Sequence, residues 1–409
     1  MDLKAARDVL LSCFTAAVSA VDPEAAVAQA LDPIAAPGRV VVFALGKAAP
    51  AMTRGVARAL DVDRLDGLAI SNHRDTVPHG IELRLGSHPV PAQSSIDAGV
   101  ALLDLAATLT ADDVAIVLIS GGGSALAEVP AHGLGLADIV AMNELLLRSG
   151  ADIVQANTVR RRLSLLKGGG LAAAIAPARL VTLLVSDVIG DIPAVIASGP
   201  TVDAQDSPDA AYEAVVELGL QDSLPANVMT VLRSVPRRQP PPPSQSLKVV
   251  ASGAVAAHAA AGAAERSGLP AKVIDTRIAG DATAAAGEVL LRSLAGVSVF
   301  AGETTVNVVG DGVGGRNQEA ALVAATLIEG QPDVFLLAAG TDGIDGTTRA
   351  AGAIVDGSTV RRSQTAGYGI SDVLERNDSG TLFAAIGDQI VTGATGTNVG
   401  DIWLILRAD

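Results

Sequence analysis

The chain runs to 409 residues with a formal net charge of −15, 49% hydrophobic residues and 2% aromatic ones. That length exceeds what one hydrophobic core keeps growing to fill, so two domains are expected. The acidic balance excludes a nucleic-acid surface, which needs clustered Lys and Arg, and so few aromatic rings leave little platform for stacking bases.

At the start, Leu3, Leu10, Phe14, Val18 and Val21 recur at roughly helical spacing, and Asp2 and Asp8 offset Lys4 and Arg7. This predicts an amphipathic first helix rather than a secretory signal with its basic flank. The lone cysteine, Cys13, falls on that helix as a small apolar residue. One cysteine forms no intrachain disulfide, and nothing points to an oxidising compartment. No run of about 18 apolar residues is free of charge, Gly or Pro, so no membrane span is expected and the chain is placed in the cytoplasm.

Beyond this helix, apolar runs alternate with Ala-rich helical stretches. The runs are Val40–Leu45, Leu68–Ser71, Val114–Ser120, Leu180–Ser186, Leu247–Ser252, Lys272–Asp275, Val297–Ala301, Thr305–Val309, Val334–Ala339 and Ile402–Leu406. Such a pattern predicts parallel sheets with helices on both faces, the α/β class. Composition shifts sharply once, at Pro236–Ser246 (PRRQPPPPSQS). Four consecutive prolines continue neither helix nor sheet, so this is a polyproline connection between domains 1–238 and 247–409, or else a surface loop within one domain.

Ligands in open α/β sheets gather beyond the carboxyl ends of the strands, so the loops there carry the candidates. Gly46-Lys47 follows the first strand and opens a helix, where free N–H groups and a lysine suit phosphate. It is no Walker A loop, because the upstream glycine and the following Ser or Thr are missing, and a solvated lysine is the alternative. Ser120, Gly121, Gly122, Gly123 and Ser124 join a strand to a helix, and three glycines let the backbone bond an anion closely; the other reading is a tight turn. The G-x-S-x-G elbow of a serine nucleophile is absent.

NTVRRRLSLLKGGGLA opens on Asn157 and concentrates Arg160, Arg161, Arg162 and Lys167. On a helix the arginines fan out, so one or two reach a site; Asn157, Arg161 and Lys167 are the binding candidates. Asp187 and Asp191 flank Gly190 at a strand end, as magnesium ligands, as a base for a hydroxyl proton, or as helix caps. Gly310, Gly312 and Gly315 form a literal G-x-G-x-x-G, with Arg316 just beyond suited to a bidentate grip on phosphate, flanked by Gly314, Gly315 and Asn317. Asp342 and Asp345 sit among glycines after a strand, as metal or nucleotide ligands or as plain turn formers. His73, His79 and His88 are irregularly spaced without Cys, which argues against a metal site, although His88 before Pro89 stands as a substrate contact.

Taken in order, ALGKAA, GSHPVP, SGGGSAL, NTVRRRLSLLKGGGLA, SDVIGD, ASGPT, GETTV, GGRNQE, AAGTDGIDG and TGTNVGD resemble the glycerate kinases that yield 2-phosphoglycerate, whose C-terminal part is called MOFRL. The resemblance covers almost the whole chain. It implies two α/β domains, a Rossmann-like N-terminal one (three layers, α/β/α, with a mostly parallel sheet) and a smaller C-terminal MOFRL one, with the active site in the cleft between them. It further implies ATP, Mg2+ and D-glycerate as partners, in a monomer or homodimer. Lys47 and Arg316 match the family's catalytic positions, Ser120 to Ser124 would cradle a carboxylate or phosphate, and Asp187 falls at the metal site together with Asp191 or Asp342. The rival is an NAD(P)H-dependent hydroxypyruvate reductase, for which the Gly310–Gly315 fingerprint is the foothold, yet none of the five histidines has an evident carboxylate partner. A non-catalytic sensor of a phosphorylated sugar acid would leave the several metal-competent carboxylates without a purpose.

Overall fold

Val, Ile and Leu runs form strands where they are expected to, and helices fill the Ala-rich intervals. A computed structural model describes residues 3–62, 64–234 and 245–408. The strands are β1 (Val40–Leu45), β2 (Arg64–Ser71), β3 (His79–Leu85), β4 (Val114–Ile119), β5 (Arg179–Val185), β6 (Gln245–Ala251), β7 (Ala271–Asp281), β8 (Gly296–Thr305), β9 (Val334–Gly340), β10 (Gly352–Asp356), β11 (Gln389–Ile390) and β12 (Asp401–Arg407). Thr305–Val309 is not a separate strand: β8 ends at Thr305 and the chain leaves the sheet in a loop. Three strands escaped the periodicity, β3 because it is polar and β10 and β11 because they are brief.

The first sheet has the order β3-β2-β1-β4-β5-β6. β1 pairs in parallel with β2 and β4, β2 with β3, and β4 with β5. β4 is buried at every position, which is why it reads as an unbroken apolar run. The order reverses between β1 and β4, so the loops leaving those two strands open side by side at the switch point of a doubly wound sheet. Four helices (Leu136–Arg148, Ile153–Arg162, Ala210–Glu217 and Ala226–Arg233) enclose an apolar cluster of their own around Met142, Leu146, Val159, Val215 and Val228.

The second sheet has the order β11-β10-β9-β12-β8-β7 and is mixed. β7 and β8 are parallel, whereas β12 runs antiparallel to both β8 and β9, and β10 antiparallel to β9. This corrects the expectation of parallel sheets for this half: β12, which follows the other strands of the sheet in sequence, lies antiparallel between β8 and β9. Its core gathers Phe300, Leu322, Leu336, Phe383, Trp403 and Ile405, and burying each such side chain stabilises by about 1.5–3 kcal/mol.

The compact units divide the chain differently from the expected 1–238 and 247–409. One holds Pro23–Ser186 and Asp191–Val250; the other holds the chain up to Asp22, Asp187–Gly190 and everything from Ala251 on. The first helix (Leu3–Ala20) belongs with the second sheet because Ala6, Leu10, Cys13, Phe14 and Ala17 lie on one buried face. That face packs on the helix Gly253–Arg266, whose small residues Ala256, Ala257, Ala260 and Ala264 allow close approach. Most of the proline-rich segment, including Pro240–Pro243, lies outside the described residues, as do Asp2 and the Leu3 side chain. Among the described residues no single helix is long and apolar enough to cross a membrane.

Candidate active site

In the N-terminal unit the turns after β1 and β4 touch. Gly46 has φ +131°, and a Cβ there would fall 2.2 Å from Ser120 Oγ, so glycine is required for the approach. Lys47 N donates to Gly121 O at 3.0 Å, and Ala48 N donates to Ser120 Oγ at 3.0 Å. Ser120 is buried and works as a tether between the turns. Gly122 takes the left-handed conformation at φ +83°; a Cβ there would meet His88 Cδ2 at 3.1 Å and Lys47 Cε at 3.3 Å. The aliphatic stem of Lys47, the glycine turn and the imidazole of His88 therefore border one spot, with Lys47 and His88 both exposed. Partial burial of the ring, aided by the Lys47 ammonium, holds the His88 pKa below its ordinary value and so favours the neutral imidazole.

The following helix, Gly123–Leu126, has only four residues, too short for a sustained dipole. Attraction for an anion here rests on Lys47 and on turn amides: the N–H groups of Gly122 and Gly123 are engaged in no bond among the described residues. Ser124 Oγ lies 2.7 Å from Ser198 Oγ, and Ser198 Oγ donates to Asn157 Oδ1 at 2.7 Å. Asn157 Nδ2 completes the brace by donating to Val195 O at 3.3 Å. This brace holds Ala197 and Ser198 at φ +50° and +61°, a left-handed geometry costly for residues with a side chain.

The basic run behaves differently from expectation. Arg161 donates through Nε and Nη2 to Asp206 at 2.6 and 2.9 Å and through Nη1 to Ala194 O at 3.3 Å. Lys167 is 4% exposed and forms an ion pair with Glu128, itself 2% exposed, whose other oxygen accepts from Ser164 Oγ at 2.5 Å. Arg160 donates to Asn143, and Arg162 to Ser234 O. The donors of Asn157, Arg161 and Lys167 are thus engaged by the protein, and the motif acts as internal scaffolding around the glycine turn.

In the C-terminal unit, Arg316 is the first residue of the helix Arg316–Leu327. Its Nε and Nη2 donate to Asp401 at 2.7 and 2.9 Å, and Glu303 stands 3.2 Å from Nη2. Burial alone would lower the guanidinium pKa; the bonds and charge of Asp401, with the charge of Glu303, outweigh that and raise it. Burial raises the Glu303 carboxyl; Arg316 opposes this, while Asp401, Asp187 and Asp342 reinforce it. Carboxylates from the ends of β8, β9 and β12 and from the Asp187 turn therefore act on one locale. Asp342 also accepts from Ile344 N at 3.0 Å.

Asp345 is no open ligand. Its oxygens accept the backbone N–H groups of Asn317 and Gln318 at 3.0 and 2.9 Å, capping the helix where Gly315 offers no side chain. Asn317 is buried, bridging Asp401 and Trp403. The literal G-x-G-x-x-G is a packing device: a Cβ on Gly310 would fall 2.4 Å from the Arg376 backbone, one on Gly312 2.4 Å from Arg376 O, one on Gly314 2.6 Å from Ser379 Oγ, and one on Gly315 2.4 Å from Asp345. Those contacts account for the glycines without invoking a pyrophosphate.

Asp187 and Asp342 fall in the C-terminal unit and Asp191 in the other. Among the described residues no group of three or more His, Cys, Asp or Glu side chains is arranged to hold a metal ion. Glu303 and Asp401 were not singled out by sequence reasoning. Their signal was available, since each is a carboxylate next to glycine at a strand end, inside GETTV and TGTNVGD.

Residues 9–233 match the family described as a domain of unknown function, DUF4147, and residues 296–401 match the MOFRL family. A D-glycerate 2-kinase of Thermotoga maritima is 34% identical over 98% of this chain and 98% of its own length. A protein of Agrobacterium vitis with a provisional hydroxypyruvate reductase name is 41% identical over 98% of this chain and 94% of its own. The crystal structure of glycerate kinase from Thermotoga maritima superposes with a TM-score of 0.89 at 33% identity, covering 99% of this chain and 100% of that one.

Proposed function

The chain belongs to the glycerate kinase family assembled from DUF4147 and MOFRL regions, and from that premise we propose that it transfers the γ-phosphoryl group of ATP to the 2-hydroxyl of D-glycerate. The observation that carries this reading is the switch-point cluster, where Lys47, His88 and the glycine turn at Gly122 border one spot. Phosphoryl transfer asks mainly for positioning and for positive charge near the transferring oxygens. An exposed ammonium beside unengaged turn amides suits an anionic oxygen, be it phosphate or the glycerate carboxylate.

In the reaction the glycerate hydroxyl oxygen bonds to the γ-phosphorus, the bond to the β-phosphate oxygen breaks, and ADP leaves with the electron pair. Asp187 accepts the hydroxyl proton or neighbours the metal. Lys47 and Arg316 supply the positive charge. The surplus of carboxylates acting on Glu303 fits Mg2+, which needs only one or two protein oxygens and takes the rest from water and phosphates. Asp187 and Asp342 would hold it, and it would neutralise β- and γ-phosphate charge. With ATP as donor the reaction belongs in the cytoplasm.

The test is phosphorus NMR of the product formed from D-glycerate and Mg-ATP. A 2-phosphoglycerate resonance is expected; 3-phosphoglycerate alone would refute the regiochemistry, and absence of any phosphorylated acid the kinase. Oxidation of NADH by hydroxypyruvate, measured without coupling enzymes, is expected to be nil. The glycine packing at Gly310–Gly315 supports that expectation.

A further inference from the structure

Asp401 opens β12 opposite Gly302 of β8 and Gly340 of β9, so neither cross-strand neighbour crowds its carboxylate with a side chain. Although 2% exposed, it accepts three bonds, from Arg316 Nε at 2.7 Å, Arg316 Nη2 at 2.9 Å and Asn317 Nδ2 at 2.9 Å. Asn317 is itself fixed, because its Oδ1 accepts from Trp403 Nε1 at 2.7 Å. Asp401 and Trp403 are two apart on a strand, hence on one face, and they catch the first two residues of the helix Arg316–Leu327. Asp345 holds the backbone of the same turn from a third direction. Arg316 Nη1 takes part in none of these bonds.

A buried ion pair is a poor stabilising device, since desolvation consumes much of the Coulomb gain. What this one does well is orientation: a bidentate carboxylate fixes a guanidinium in its plane. Resting on the kinase reading and the role it gives Arg316, we infer that Asp401 is the positioning residue for Arg316, clamping one edge of the guanidinium and presenting the other to the transferring phosphoryl group.

The experiment compares Arg316→Ala, Asp401→Asn and the double variant, assayed at saturating Mg-ATP and D-glycerate with and without millimolar guanidinium ion. Asp401→Asn is expected to lower kcat by about 10- to 100-fold with little change in the KM for ATP. Guanidinium should restore part of the kcat of Arg316→Ala, because Asp401 still offers the bidentate seat, and none in the double variant. A purely structural Asp401 would not make rescue depend on its charge. Wild-type kcat in Asp401→Asn, equal rescue in the double variant, or no rescue of Arg316→Ala overturns the inference. Wild-type kcat in Arg316→Ala without additive is a separate result: it removes the role of Arg316 itself, and the inference with it. Should Asp401→Asn fail to fold, Trp403→Phe frees Asn317 while keeping the ring, and an unchanged kcat there counts against the clamp.

Discussion

In the N-terminal unit Lys47 stands exposed beside a bare glycine turn, with the His88 imidazole as its neighbour. In the C-terminal unit Arg316 is clamped by Asp401, faced by Glu303, and anchored through Asn317 to Trp403. One cation keeps its side-chain freedom, and the other is fixed in place by its carboxylate partner. Under the proposed function, the contrast means that the two halves would contribute different things: adaptable attraction from the first, preorganised charge from the second.

The largest effects should separate these roles. Lys47→Ala and Arg316→Ala are each expected to lower kcat on the order of 10³-fold, the scale of a cation removed from phosphoryl transfer. Only Arg316→Ala should also destabilise, by about 2 kcal/mol in urea unfolding, because it leaves the buried Asp401 without its strongest partners. Equal stability loss in both variants would erase the distinction. Next comes the scaffolding behind the glycine turn: Glu128→Ala strands the Lys167 charge in the interior and should cost about 3–5 kcal/mol, whereas Glu128→Leu combined with Lys167→Met should cost much less. If the double replacement is the worse of the two, the pair does more than support the loop.

Smaller again is Gly46→Ala, which forces a Cβ against Ser120 in a left-handed conformation. It should destabilise by about 1–3 kcal/mol and displace Lys47, seen as a raised KM together with a lowered kcat. The smallest effect concerns His88. Its folded pKa lies below the ordinary 6.5, so the unfolded chain binds the proton first and stability falls as pH drops through that value. His88→Gln should flatten this acid-side decline in thermal midpoint; an identical slope in the variant would show that the ring titrates as if free.

Much of the framework was legible from residue order. β1, β4, β9 and β12 are apolar runs whose ends differ little from the expected ones, because strands buried on both faces leave an unbroken hydrophobic signature. The Gly46-Lys47 and Gly121–Gly123 turns were equally visible, since glycine clusters at strand ends have few other uses. What stayed hidden depends on partners distant in sequence. Lys167 looked like a ligand because Glu128, its mate, lies in an unrelated stretch; Arg161 likewise meets Asp206 only in the folded unit. Asp401 carried a local signal beside Gly400, but its pairing with Arg316 became visible only once β12 was seen to lie antiparallel between β8 and β9, a register no local pattern encodes. The grouping of the first helix with the second sheet was unreadable for the same reason.

The strand that carries Asp401 follows the other strands of its sheet in sequence order, yet it lies in the middle, between β9 and β8. Without β12 seated, β8 and β9 have facing edges that no other strand of the sheet fills. Open strand edges of that kind recruit other strands. Assembly of this half consequently hinges on the docking of β12, and the guanidinium clamp cannot close before that strand is seated.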